Sequence, residues 1–118
     1  MTTFKFEQLA VWQRALDLSE RIHRVVQKFP REELYVLSSQ IKRAADSIAL
    51  NVAEGSTGQS NAEFRLFVNY AIRSAVEVVA CLRIAERRGL MERASVEELG
   101  DETERVVRML YGLRKSLR

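Results

Sequence analysis

A chain of 118 residues has material for one domain and buries roughly two-thirds of its unfolded surface, enough for a core without staples. Its single cysteine, Cys81, excludes an intramolecular disulfide framework and any cysteine-based metal cluster, and fits a reducing cytosol. The net charge of +3 permits an anionic partner without demanding one, and no run of about 18 apolar residues is present to span a membrane.

The start, Met1-Thr2-Thr3-Phe4-Lys5-Phe6, has no long apolar run and does not read as a signal peptide, so the expected location is cytoplasmic. Apolar residues from Leu9 through Trp12, Leu16, Ile22 and Val26 to Phe29 predict a first helix over about residues 7–28, with Trp12 a core anchor in phase with Leu9 and Leu16. Arg14, Arg21 and Lys28 recur at seven-residue steps with Arg24 beside them, forming a basic edge. Asp17 and Glu20 stand four residues before Arg21 and Arg24, so the plain reading of this edge is a solvated face with intrahelical ion pairs. His23, the only histidine, has no second ligand or nucleophile motif nearby and reads as a surface or structural residue.

Pro30 ends the first helix and suits the first turn of the second, predicted over about 31–54, with Glu32 and Glu33 where the helix dipole favours anions. Leu34, Leu37, Ile41, Ala44, Ala45, Ile48 and Val52 form its apolar stripe. A polar stripe runs Gln40, Arg43, Ser47, Asn51, Glu54, and Gly55 is expected to supply a left-handed C-terminal cap. Glu54 lies where the dipole disfavours an anion, which asks for a compensating partner.

The loop Ser56–Asn61 lacks the spacing and the lysine of a phosphate-binding P-loop. Ser60 and Glu63 form a capping box that opens a third helix over about 61–88, closed by the basic turn Arg87-Arg88 and Gly89. From Leu66 to Leu82 its strongly polar residues are Asn69, Arg73, Ser74 and Glu77 alone. A helix apolar over most of its circumference is buried on more than one side. In a small bundle that implies a second molecule covering the surplus. If the second and third helices run antiparallel across the short loop, positions summing to about 120 face each other. Glu54 then meets Arg65, Asn51 meets Asn69, Ser47 meets Arg73 and Arg43 meets Glu77, an internal polar seam accurate to about one turn.

Ser95 and Glu98 make a second capping box, predicting a fourth helix over about 95–116 with Val96, Leu99, Val106, Leu110, Leu113 and Leu117 inward. Its first half is acidic; its second half carries Arg105, Arg108, Arg114 and Lys115, an asymmetry that complements the helix dipole. The expected fold is therefore all-α, an antiparallel up-down four-helix bundle in a single domain over 1–118. No metal-ligand spacing, nucleophile elbow, nucleotide fingerprint or zinc motif occurs, so neither enzyme activity nor a cofactor or metal is expected.

The run Phe29-Pro30, Glu33, Tyr35, Leu37, then Gln40-Ile41-Lys42-Arg43-Ala44-Ala45, Ser47-Ile48 and Asn51-Val52-Ala53-Glu54-Gly55 resembles a bacterial four-helix-bundle family named after proteins encoded in ribosomal-RNA intervening sequences. Leu9-Ala10-Val11-Trp12 and Ser74-Ala75-Val76-Glu77 fit the same pattern, and the accessory variability proteins of diversity-generating retroelements are similar. The family often has a basic residue soon after the glycine, whereas Thr57-Gly58-Gln59 has none. The resemblance implies a homopentameric ring of four-helix protomers. From the retroelement relatives it implies contact with a reverse transcriptase and with RNA or DNA. A ring repeats each protomer's charge, so +3 per chain becomes about +15 in a pentamer. The expected nucleic-acid contacts are Arg14, Arg21, Arg24 and Lys28, then Arg105, Arg108, Arg114 and Lys115. The alternative is a protein-interaction scaffold with no direct nucleic-acid role.

Overall fold

The structure, a computed structural model, describes every residue except Thr2 and Leu34. Its described residues form four α-helices and no strand. A 3-10 turn, Lys5–Gln8, leads into α1 (Ala10–Val26); a second, Arg31–Glu33, leads into α2 (Leu37–Ser56); α3 (Asn61–Arg87) and α4 (Arg93–Ser116) follow. Neighbours in sequence pack together, and α4 closes against α1, so α1 lies diagonally from α3 and α2 from α4. One core fills the space between them. Leu18 and Ile22 come from α1, Ile41, Ile48 and Val52 from α2, Val68, Val78 and Leu82 from α3, and Val96, Val106 and Leu110 from α4. Each such side chain contributes about 1.5–3 kcal/mol relative to exposure. Among the described residues no helix is long and apolar enough to cross a membrane.

The buried stripe of α1 is Val11, Ala15, Leu18, Ile22 and Val26, one residue out of phase with the expected start of the pattern. Leu16 is 39% exposed. Leu9 and Trp12 pack only on the rim of the core, the Trp12 ring meeting Phe6 edge-on at 4.9 Å between centroids. The reason is local. Leu9 is extended (φ −76°, ψ 126°), so the helix begins at Ala10 rather than residue 7, and a period counted from Leu9 does not continue into it.

α2 also begins later than residue 31. Pro30 accepts a turn hydrogen bond from the Glu33 amide at 2.9 Å and opens only the 3-10 turn. Val36, at φ −119° and ψ −99°, then breaks the backbone before Leu37. Leu34, the first residue of the expected stripe, lies outside the described residues; Leu37, Ile41, Ala44, Ala45, Ile48 and Val52 are all buried.

Gly55 does not cap α2. The helix runs on to Ser56, and Gly55 is buried within it. A Cβ built there would stand 2.6 Å from Phe67 Cβ and 2.8 Å from Phe64 Cδ1. The residue is needed because α3 passes against the backbone of α2 at that point. Gly89 does have positive φ, at 74°. It ends α3 in a Schellman arrangement, with Leu90 N–H donating to Ala85 O at 2.9 Å and Gly89 N–H to Glu86 O at 3.0 Å.

At the other end of α3, Ser60 Oγ accepts from Glu63 N–H at 3.1 Å. The corresponding box on α4 does not form. That helix starts at Arg93, with Glu92 as N-cap and no side-chain cap bond. Glu98, expected to complete the box, turns instead toward Arg21 of α1.

Candidate nucleic-acid interface

Polar residues of α2 and α3 meet, but not in the expected pairs. Ser74 Oγ donates to Ser47 Oγ at 2.9 Å, and Gln40 Nε2 donates to Glu77 Oε2 at 3.2 Å. Asn51 donates to Ser47 within its own helix, to the carbonyl at 2.8 Å and to Oγ at 2.9 Å. Arg43 and Glu77 line one shallow groove with Gln40, Ala44 and Ser47, without an ion pair between them. Arg73 and Glu54 stay exposed.

Arg65 and Asn69 are the main departure. Both turn to α4 instead of α2: Arg65 donates to Leu117 O, and Asn69 Oδ1 accepts from Arg114 Nη1 at 2.7 Å. Summing positions fixes how high along a helix pair two residues meet. It does not fix which of two neighbouring helices a residue faces, and α3 touches both. Residues 65 and 69 lie on the side of α3 turned to α4, and residues 74 and 77 on the side turned to α2.

The basic edge of α1 is largely engaged by acids. Arg21 donates to both Glu98 and Glu102 of α4. Burial pulls its pKa down, but the hydrogen bonds and charges of those two carboxylates outweigh it and raise the guanidinium above its ordinary value. Arg14, Arg21 and Arg105 share a groove of about 370 Å³ with Glu98, Asp101 and Glu102, so its cations lie among as many acids, although the ion pairs there are both made by Arg21. Arg24 pairs with Glu20 at 3.6 Å and Arg108 with Glu104 at 4.0 Å, each one turn away on its own helix. Lys28 is exposed at the end of the edge.

A different groove gathers cations without acidic side chains among the described residues. Between the start of α3 and the end of α4, Arg65, Arg114, Lys115 and Arg118 line an open depression of about 730 Å³ together with Asn69 and Tyr111. No side-chain carboxylate lines it. The Arg114 guanidinium lies over the Tyr111 ring, Cζ 4.6 Å from the centroid, while Nη1 holds Asn69. Arg65 serves the fold as well as the groove, since Leu117 O is one of the terminal carbonyls that a helix leaves without an internal partner.

Tyr111 and Arg118 were not among the expected contacts, and Arg65 was assigned to the seam. A signal was present: Tyr111, Arg114, Lys115 and Arg118 fall at i, i+3, i+4 and i+7, one face of the last two turns. Arg65 could not be added from sequence, because its approach to α4 is a tertiary contact.

The family model described as 23S rRNA-intervening sequence protein matches residues 7–112. The chain belongs to this family. It is similar to a solved structure, the crystal structure of a protein of unknown function from the S23 ribosomal protein family of Bacteroides thetaiotaomicron, with TM-score 0.80 and 25% identity over 90% of this chain and 99% of that one. No curated protein matches it.

Two further features of this intervening-sequence family member bear on function. Leu66, Tyr70, Val76 and Ile84 of α3 are exposed, with Val76 59% accessible. Between α3 and α4, Ala75, Val76, Val79 and Val107 supply the apolar part of a groove of about 510 Å³ that Arg83, Glu97, Asp101 and Glu104 also line. Elsewhere, Ser19 Oγ and His23 Nε2 both meet Asp46 Oδ1, the latter at 3.1 Å. Serine and histidine thus share one carboxylate oxygen and do not bond each other, so the cluster ties α1 to α2 and is not arranged as a nucleophile with its base.

Proposed function

We propose that this protein is a non-enzymatic, self-associating bundle that binds nucleic acid, RNA first, in the cationic groove between α3 and α4. The observation that carries the reading is the segregation of charge. Arg65, Arg114, Lys115 and Arg118 converge where no side-chain carboxylate competes, while the α1–α4 groove is internally matched. Each phosphate a cation neutralises releases a counterion, which makes binding fall with salt and grow with the number of contacts. The family's description, 23S rRNA-intervening sequence protein, supports RNA as the first ligand to test.

The bundle in this reading is of the antiparallel up-down kind. The pairs Gly55 with Phe64 and Phe67, Ser47 with Ser74, and Gln40 with Glu77 support it for α2 and α3. Self-association follows from the apolar residues that α3 leaves in water, since a face of that kind is stabilised when another protomer covers it. The resemblance noted in the sequence supports a ring of five for that assembly, and the similarity to retroelement accessory proteins supports a reverse transcriptase as a partner. Such a protein works in the cytoplasm.

The test is binding of single- and double-stranded RNA and DNA to the full chain at two salt concentrations, after sedimentation has fixed the assembly. Binding that weakens as salt rises supports the reading. No binding at low salt by the assembled protein refutes it. A second reading, a protein-docking scaffold with no direct nucleic-acid role, is favoured by the apolar α3–α4 groove. A protein partner retained after nuclease treatment, with no nucleic acid bound by the purified chain, selects it.

A further inference from the structure

We infer that the α3–α4 groove takes a single-stranded polynucleotide, with one base stacked on the Tyr111–Arg114 pair and the flanking phosphates on Lys115 and Arg118. This rests on the nucleic-acid reading above and goes further, because it names the strand state and the residue that reads a base.

The cations alone would bind any polyanion. What distinguishes this groove is a flat platform among them. Tyr111 is 46% exposed, so its ring keeps accessible surface. Arg114 is fixed at two points, over that ring with Cζ 4.6 Å from the centroid and by its 2.7 Å bond to Asn69 Oδ1. A tyrosine ring with a guanidinium held over it offers a nucleobase a surface of the type on which single strands bind, because bases stack both on aromatic rings and on guanidinium planes. The Asn69 amide nitrogen can still donate to a base edge or a sugar oxygen. Lys115 and Arg118 are exposed and, among the described residues, form no ion pair within 4.0 Å, so their charge is available to phosphate. Arg65 adds charge but is committed to Leu117 O.

The depression, about 730 Å³, lies within the range of roughly 300–1,000 Å³ in which proteins hold small ligands. A duplex keeps its bases stacked in its interior and shows the groove only a phosphate edge. To use Tyr111 it would have to unpair and turn out a base, at a cost a single strand does not carry.

The experiment measures fluorescence anisotropy of the full, assembled chain with a labelled oligouridine or oligoadenine RNA, the same sequences as DNA, and the corresponding duplexes, each at several salt concentrations. Single strands are expected to bind at least about tenfold more tightly than duplexes. Tyr111→Ala should weaken single-strand binding roughly five- to 150-fold and leave the salt slope unchanged, while Tyr111→Phe keeps the affinity. Lys115→Ala and Arg118→Ala should each lower the magnitude of that slope by about 0.7. Equal binding of RNA and DNA upholds the inference with the sugar unread; tighter RNA upholds it and identifies RNA as the source. Wild-type binding that Tyr111→Ala leaves intact, or duplexes bound as well as single strands, overturns the inference alone. No binding of any probe overturns the functional reading with it.

Discussion

Replacing Gly55 by alanine separates two accounts of the same residue. Alanine in a helix interior is favoured over glycine by about 1 kcal/mol, so propensity alone predicts stabilisation. The packing predicts the opposite. The new methyl would stand 2.6 Å from Phe67 Cβ and 2.8 Å from Phe64 Cδ1, against an ordinary carbon–carbon separation of about 3.5–4.0 Å. The Phe64 ring can swing aside. Phe67 Cβ is bonded directly to the α3 backbone, so relief there requires α2 and α3 to part by about 1 Å. Overpacking of this kind costs about 1–3 kcal/mol. With the propensity gain subtracted, Gly55→Ala should destabilise by about 0–2 kcal/mol, a fall in Tm of up to roughly 10 °C for a chain of this size. Gly112→Ala is the internal control: it shares the propensity gain in α4, and its Cβ would meet nothing within 4 Å, so it should raise Tm. Circular-dichroism melts and urea titrations at one fixed protein concentration read both variants. A Gly55→Ala protein stabilised over the parent as much as Gly112→Ala refutes the close-approach argument.

Glu102→Ala should destabilise by about 1 kcal/mol, because Glu102 is only 12% exposed beside an Arg21 that is 38% exposed and screened by solvent. Glu98→Ala, on the exposed side of the same arginine, should cost less than about 0.5 kcal/mol, and urea midpoints compare the two. Burial, and secondarily the charge of Glu77, push the Cys81 thiol up. The stability tied to that shift is fully present below the unfolded thiol's pKa of roughly 8.5 and is lost as pH climbs from there through the folded value. Native Cys81, buried and with its thiolate disfavoured, should label more slowly than the urea-unfolded chain at pH 8, as a thiol reagent will show. Val76→Asp combined with Ile84→Asp should lower the sedimentation coefficient toward that of a monomer while leaving the helical circular-dichroism signal intact.

The features legible in the sequence are those set by local chemistry. The serine of a capping box predicted where α3 begins, and the glycine after a basic turn predicted where it ends. The Ile41, Ala44, Ala45, Ile48, Val52 stripe reads correctly because it lies wholly inside one uninterrupted helix. The first half of the α1 stripe does not, because Leu9 is extended and supplied a false origin for the period, whereas Ile22, Val26 and Phe29 are buried as expected. Gly55 misled for a related reason. A glycine near a helix end fits both a left-handed cap and a close approach, and only Phe64 and Phe67 of α3 decide between them. The groove was half legible. Arg114 and Lys115 were expected contacts, yet Arg21 was equally expected and is held between two glutamates. Linear spacing identifies which cations share a helix face, but the acids that neutralise them come from another helix.

The most direct measurement of the central claim compares two charge reversals in the same RNA-binding titration. Lys115→Glu with Arg118→Glu alters the unmatched groove, and Arg24→Glu with Lys28→Glu alters the α1 edge at equal change in net charge. The account predicts that the groove variant loses at least about tenfold in affinity at moderate salt while the edge variant loses no more than about threefold. Equal losses, or a greater loss from the edge variant, would show that RNA answers to net charge or to α1 and would contradict the account.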